Sequence, residues 1–251
     1  MALPELSVQA WLLLCLAGAL VGFAKTAISG VGALAVVIFA AVLPARESTG
    51  SLLPLLLVGD LLAVSLYRRH ASWPTLLRLL PGVLPGLVLG AVFVGLVDDQ
   101  VMRVSIGLIL LSLTGVSVWQ RARGTGTWAL WHDRPHPWLT LLMGVVAGFA
   151  TMTANAAGPV MTLYLILAGL PMLEMLGTGA WFFLAVNLAK VPFSTGLGLI
   201  SVESLVMDLA LVPALLLGGA LGVVVIRRID QRQFELVALA LGAVAAALLL
   251  V

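Results

Sequence analysis

A chain of 251 residues, 62% of them apolar and only 10% charged, is too poor in charge to be a water-soluble globule, in which about a quarter of residues are charged. The 13 Lys and Arg and 11 Asp and Glu leave a formal charge of +2; the basic residues cluster between apolar runs, which reads as membrane topology and excludes a nucleic-acid footprint. Cys15 is the one cysteine, so no disulfide framework and no thiolate metal cage can be built within the chain.

One bilayer crossing takes about 20 apolar residues, and long apolar runs fill this sequence. The fold class expected is an all-α polytopic membrane protein. No basic stretch and no small-residue cleavage site precede the run that starts near Val8, so the first segment is expected to stay in the mature protein. Segments are predicted at 8–24, 31–44, 49–67, 75–97 and 101–119. A polar stretch follows, and then segments at 138–152, 158–170, 175–195, 203–226 and 234–251. The chain thus divides into a first repeat over 1–119, a cytoplasmic linker over 120–137 and a second repeat over 138–251.

The two halves resemble each other when shifted by about 127 residues. Gly22-Phe23-Ala24 returns as Gly148-Phe149-Ala150, Gly32 as Gly158, Pro44 as Pro171, Glu47 as Glu174, Gly50 as Gly177 and Asp60 as Asn187. Basic residues accumulate in cytoplasmic loops. Arg68, Arg69 and Arg78 flank one loop whose counterpart near 196–203 holds Glu203 and no basic residue. Asp98 and Asp99 lie where the second half carries Arg227, Arg228 and Arg232. Corresponding loops are therefore expected on opposite faces, with the two repeats inverted and both termini outside.

The first two segments of each half are expected to be broken or re-entrant, because several are only about 15 residues long. The breaks read Lys25-Thr26-Ala27-Ile28-Ser29-Gly30-Val31-Gly32 and Thr151-Met152-Thr153-Ala154-Asn155-Ala156-Ala157-Gly158-Pro159. Irregular backbone at membrane depth is tolerated only where protein or a wet cavity covers it. Helices that restart near Gly32 and Pro159 would turn free N–H groups into such a cavity, which favours an anion. Pro159 suits a first helical turn, where its missing N–H costs nothing. The candidate substrate-binding residues are Lys25, Thr26, Ser29, Gly30, Gly32, Thr151, Thr153, Asn155 and Gly158. Close helix packing is the competing reading for each small residue taken singly.

A charged side chain at a helix centre costs about 2.5 to 3.5 kcal/mol on the insertion scale. Asp60, Asn187 and Lys190 form the candidate charge network: an Asp60–Lys190 salt bridge can form across the repeat axis, and the two readings of it are proton coupling and a purely structural lock between two helices. Asp208 reads as a structural residue near an aqueous boundary. Enzyme chemistry is not expected: the three histidines, His70, His132 and His136, form no metal-ligand pair, and neither a protease dyad nor a nucleotide-binding loop is present. No cofactor and no metal are expected.

The glycine pattern Gly18, Gly22, Gly30 and Gly32 leading to Pro44, then Pro81-Gly82 and Gly86 to Gly90, with a second copy starting at Gly144 and Gly148, resembles the TauE/SafE sulfite-exporter family, the sulfonate-uptake permease group. The resemblance covers nearly the whole chain. It implies a multi-pass protein of the bacterial cell (inner) membrane with duplicated halves, carrying sulfite, sulfonates or related organic anions, often coupled to an ion gradient. The chain departs from the family pattern at Asn155-Ala156-Ala157-Gly158-Pro159, where a Gly-rich stretch before the proline is usual. The expected function is secondary transport of a small anion by alternating access. A passive anion channel and a non-transporting membrane scaffold subunit are the alternatives. The expected partners are the anion, the lipid bilayer, a coupling proton or ion and, within reach, further copies of the chain.

Overall fold

The structure is a computed structural model; it describes residues 6–27, 31–122 and 137–228. Ser29, Gly30, most of the linker and the last predicted segment, 234–251, lie outside the described residues. Among the described residues ten α-helices follow one another: α1 (Val8–Thr26), α2 (Gly32–Val42), α3 (Ala45–Ser51), α4 (Leu53–Tyr67), α5 (Trp73–Leu96), α6 (Asp99–Ala122), α7 (Pro137–Ala154), α8 (Ala157–Leu167), α9 (Met172–Gly196) and α10 (Val202–Ile226). Among the described residues no strand occurs, and six helical stretches are long and apolar enough to cross a bilayer, counting α3, α4 and the turn to His70 as one. The side chains left exposed on them, such as Leu84, Val88, Leu209 and Leu217, suit a lipid environment.

The first helix of each half is longer than its sequence suggests. α1 has 19 residues and α7 has 18, because nothing breaks the apolar run before Lys25 or Asn155; only the second helices, α2 and α8, are short at 11 residues each. The interruption falls between the first and second helix of each half.

Glycines set how closely the helices approach. On α1, Gly18 faces Leu211 and Gly22 faces Leu215 and Gly219 of α10, while Gly218 rests on Ala19. Contacts that advance together along both chains make α1 and α10 parallel neighbours. The same arrangement joins α5 and α7, where Gly82 faces Leu141, Gly86 faces Val145 and Gly90 meets Met152. Each half thus lends its first long helix to a later helix of the other half. Between these pairs, α3–α4 and α9 run antiparallel: Gly50 meets Leu199, Asp60 meets Asn187, and the Ser72 backbone N–H donates to Thr178 Oγ1.

The stretch from Ala45 to His70 is broken at Leu52. Pro54 sits in the first turn of α4, and proline has no N–H to give and crowds the carbonyl four residues back. Backbone groups freed by this break face two different neighbours, described below.

Candidate functional site

The two interruptions meet at one cavity of about 80 Å³. α1 contributes Val21, Ala24 and Lys25; α2 contributes Gly32, Ala33 and Val36; α4 contributes Leu56 and Ala63. From the second half come Asn155, Ala156, Gly158, Pro159, Met161, Thr162 and Leu165, with Met175, Leu176, Gly179, Ala180 and Phe183 of α9. α2 and α8 both start here, at Gly32 and Ala157, and among the described residues neither N-cap, Val31 or Ala156, caps the first turn with its side chain. The leading N–H groups of a helix have no partner within the α-helix itself.

Lys25 is the cation of this cavity. Its ammonium lies 2.6 Å from Asp60 Oδ1 and 4.4 Å from the centroid of the Phe183 ring, a face that attracts cations. Asp60 is fully buried, and Lys25 keeps 11% of its side chain exposed. The second carboxylate oxygen of Asp60 accepts from Asn187 Nδ2 at 2.6 Å. Both oxygens are thereby held, and the ammonium is fixed at the cavity wall. The Asp60–Lys190 salt bridge expected from the repeat is not formed. Lys25 takes that place, because α1 packs its Val21 and Lys25 directly against Gly59 of α4.

Lys190, 1% exposed, instead donates to Asn155 Oδ1. Asn155 Nδ2 in turn donates to the Thr49 carbonyl at 3.0 Å, beside the α3–α4 break. Asn155 has φ of 48°, the left-handed region that asparagine adopts more readily than most residues. The polar side chain and the chain reversal that ends α7 therefore come from the same residue.

Of the residues singled out in the sequence, Lys25, Gly32, Asn155 and Gly158 line the cavity; Asp60, Asn187 and Lys190 stand behind it as the polar network. Thr26 is absent from the wall: its hydroxyl donates to the Gly219 carbonyl at 2.9 Å and so fastens α1 to α10. Its own carbonyl accepts from Tyr67 Oη at 2.6 Å. Thr153 donates to Phe149 O at 2.8 Å, and Thr151 is buried away from the cavity. Ser29 and Gly30 fall outside the described residues. Thr162 and Phe183 were missed by sequence reasoning, although helical spacing offered a signal, since each lies four residues from a singled-out position, Gly158 and Asn187 respectively.

Asp208 also differs from its reading as a boundary residue. It is 4% exposed and lies on the buried stripe of α10 with Leu211, Leu215 and Gly218.

Lipid-compatible helices, a buried ion pair and a cavity where two helix interruptions meet mark a polytopic membrane protein with an internal cavity. The chain belongs to the TauE/SafE sulfite-exporter family: the sequence profile described as Sulfite exporter TauE/SafE matches residues 14–249, nearly the whole chain. Members of that family are membrane transporters, not enzymes. No curated protein and no solved structure matches the chain.

Proposed function

We propose that the protein is a secondary transporter of the cell (inner) membrane that carries a small anion, sulfite or an organosulfonate, by alternating access coupled to protons. The observation that carries this reading is the Lys25 ammonium fixed by Asp60 at the wall of a cavity at which α2 and α8 both start. Counted in their ordinary charged forms, Lys25 and Lys190 against Asp60 leave one positive charge near the cavity, which favours an anionic ligand. Lys25, Gly32, Asn155 and Gly158 would contact the anion; Asp60, Asn187 and Lys190 would hold that charge in position.

Two inverted repeats, 1–119 and 138–251, complete the reading. It is supported by the antiparallel contact of equivalent helices, in which Gly50 meets Leu199 and its counterpart Gly177 meets His70 and Ala71. Further support comes from the matching pairs α1 with α10 and α7 with α5. A two-fold axis in the membrane plane relates such halves, and rocking of one against the other would expose the cavity to each face in turn.

Radiolabelled sulfite flux into proteoliposomes tests the reading. Saturable flux is expected for the wild-type protein. A charge-assisted contact contributes about 1.5 to 3 kcal/mol, so Lys25→Met should weaken the apparent affinity by roughly 10- to 150-fold. Flux that rises without saturation would make the protein a channel, and flux indifferent to Lys25→Met would move the site elsewhere.

A further inference from the structure

Asp208 is a buried carboxylate that the anion site does not use. Among the described residues neither Oδ1 nor Oδ2 has a hydrogen-bond partner, and the residue is 4% exposed. Among the described residues the helices that pack most against α10 are α1, α4 and α3. α1 brings Lys25, already paired with Asp60, and the exposed Cys15. α3 brings Arg46 and Glu47 in its first turn, and α4 brings Asp60 and Tyr67, whose hydroxyl is spent on Thr26 O. α10 itself adds Glu203, exposed in its first turn. Among the described residues none of these cations pairs with Asp208. An unpaired carboxylate within a spanning helix is costly and calls for a cation in some state of the protein.

The surroundings of Asp208 select the cation. Leu55, just past the α3–α4 break, shares a buried apolar cluster with Met207 and Leu211 of α10, and among the described residues no group of three His, Cys, Asp or Glu side chains could hold a metal ion. A metal ion needs several oxygen ligands, whereas a proton needs only the carboxylate. The break also joins Asp208 to the cavity. Leu56, the next residue, lines the cavity, and the Thr49 carbonyl on the other side of the break accepts from Asn155.

We propose that Asp208 is the proton-binding site of the transport cycle, linked to the anion cavity through the α3–α4 break. A proton from one aqueous face binds a carboxylate oxygen, crosses on the neutral acid and leaves to the other face, while Asp60 stays committed to Lys25 and Asn187. This rests on the anion-transport reading above. With one proton per anion, a gradient of one pH unit sustains about tenfold accumulation.

The test is Asp208→Asn in proteoliposomes, with pH gradients imposed in each direction and anion exchange measured alongside. The wild-type protein should accumulate sulfite about tenfold. The variant should accumulate none while exchanging labelled for unlabelled sulfite. Accumulation equal to wild type, or loss of exchange together with accumulation in a protein that remains folded, overturns the proposal. Should Asp208→Asn fail to fold, Asp208→Glu keeps the acid and displaces it by one methylene. It is expected to retain accumulation with a shifted pH profile, and an unshifted profile overturns the assignment. Wild-type protein that exchanges sulfite but ignores every pH gradient refutes proton coupling and leaves anion transport standing; wild-type protein with no flux refutes the transport reading itself.

Discussion

Asn155 combines two demands that other residues meet separately. Its φ of 48° ends α7, and its amide ties Lys190 to the Thr49 carbonyl. Asn155→Gly keeps the backbone and removes the amide, leaving a buried ammonium and a carbonyl unpaired at a cost of about 1 to 3 kcal/mol. Asn155→Ala loses the amide too and adds about 1 to 2 kcal/mol for a Cβ in the left-handed region. Thermal unfolding in detergent should therefore rank wild type above the glycine variant and the glycine variant above the alanine variant. That order reverses helix propensity, by which alanine surpasses glycine by about 1 kcal/mol; an alanine variant as stable as the glycine variant would mean that the position does not need its positive φ. The residue was legible as a helix breaker with a hydrogen-bonding side chain. Its partners were not, because Lys190 and Thr49 lie far along the chain and only packing brings them together. For the same reason Asp60 could be read as a buried acid needing a cation, but not that Lys25 would supply it.

Helix positions were easier to read than helix faces. Apolar runs and their Gly and Pro stops located the helices, since lipid demands both. The breaks after Thr26 and Asn155 were found, while the lengths of α1 and α7 were underestimated because their ends were judged by polarity and small residues such as Thr151 and Thr153 continue the helix. The burial of Asp208 was illegible: α10 is apolar on every side, so nothing in its pattern tells which stripe meets α1. The glycines carry that information once the neighbour is known. At Gly86 of α5 a Cβ would lie 2.9 Å from the Phe149 backbone nitrogen, and no flexible side chain is there to yield. Gly86→Ala should lower stability by about 1 to 3 kcal/mol. At Gly115 of α6 a Cβ meets nothing within 4 Å, so Gly115→Ala should leave stability unchanged or raise it by up to about 1 kcal/mol. Thermal melts of the two variants side by side check both; equal losses would mean that α5 and α7 are not in close contact.

At the scale of the whole molecule, the proposed inverted arrangement makes a prediction about sidedness that needs no substrate. Arg69 follows α4 in an exposed turn, and Thr195 is exposed in the last turn of α9; the two are near-equivalents under the shift of about 127 residues. If the repeats are inverted, these ends lie at opposite membrane faces. The basic cluster Arg68-Arg69 assigns the first to the cytoplasm. Because Cys15 is the one native cysteine, Cys15→Ala gives a background in which Arg69→Cys and Thr195→Cys can be labelled singly. A membrane-impermeant maleimide applied to intact cells should modify the protein carrying Thr195→Cys and spare Arg69→Cys, which should react only once the membrane is opened. The antiparallel contact of α4 and α9 already requires that the end of one lie beside the start of the other: the Ser72 backbone meets Thr178, and Gly50 meets Leu199. Labelling of both cysteines from the same side would be incompatible with that contact spanning the bilayer, and rocking of the two halves about a shared cavity would then have no structural basis.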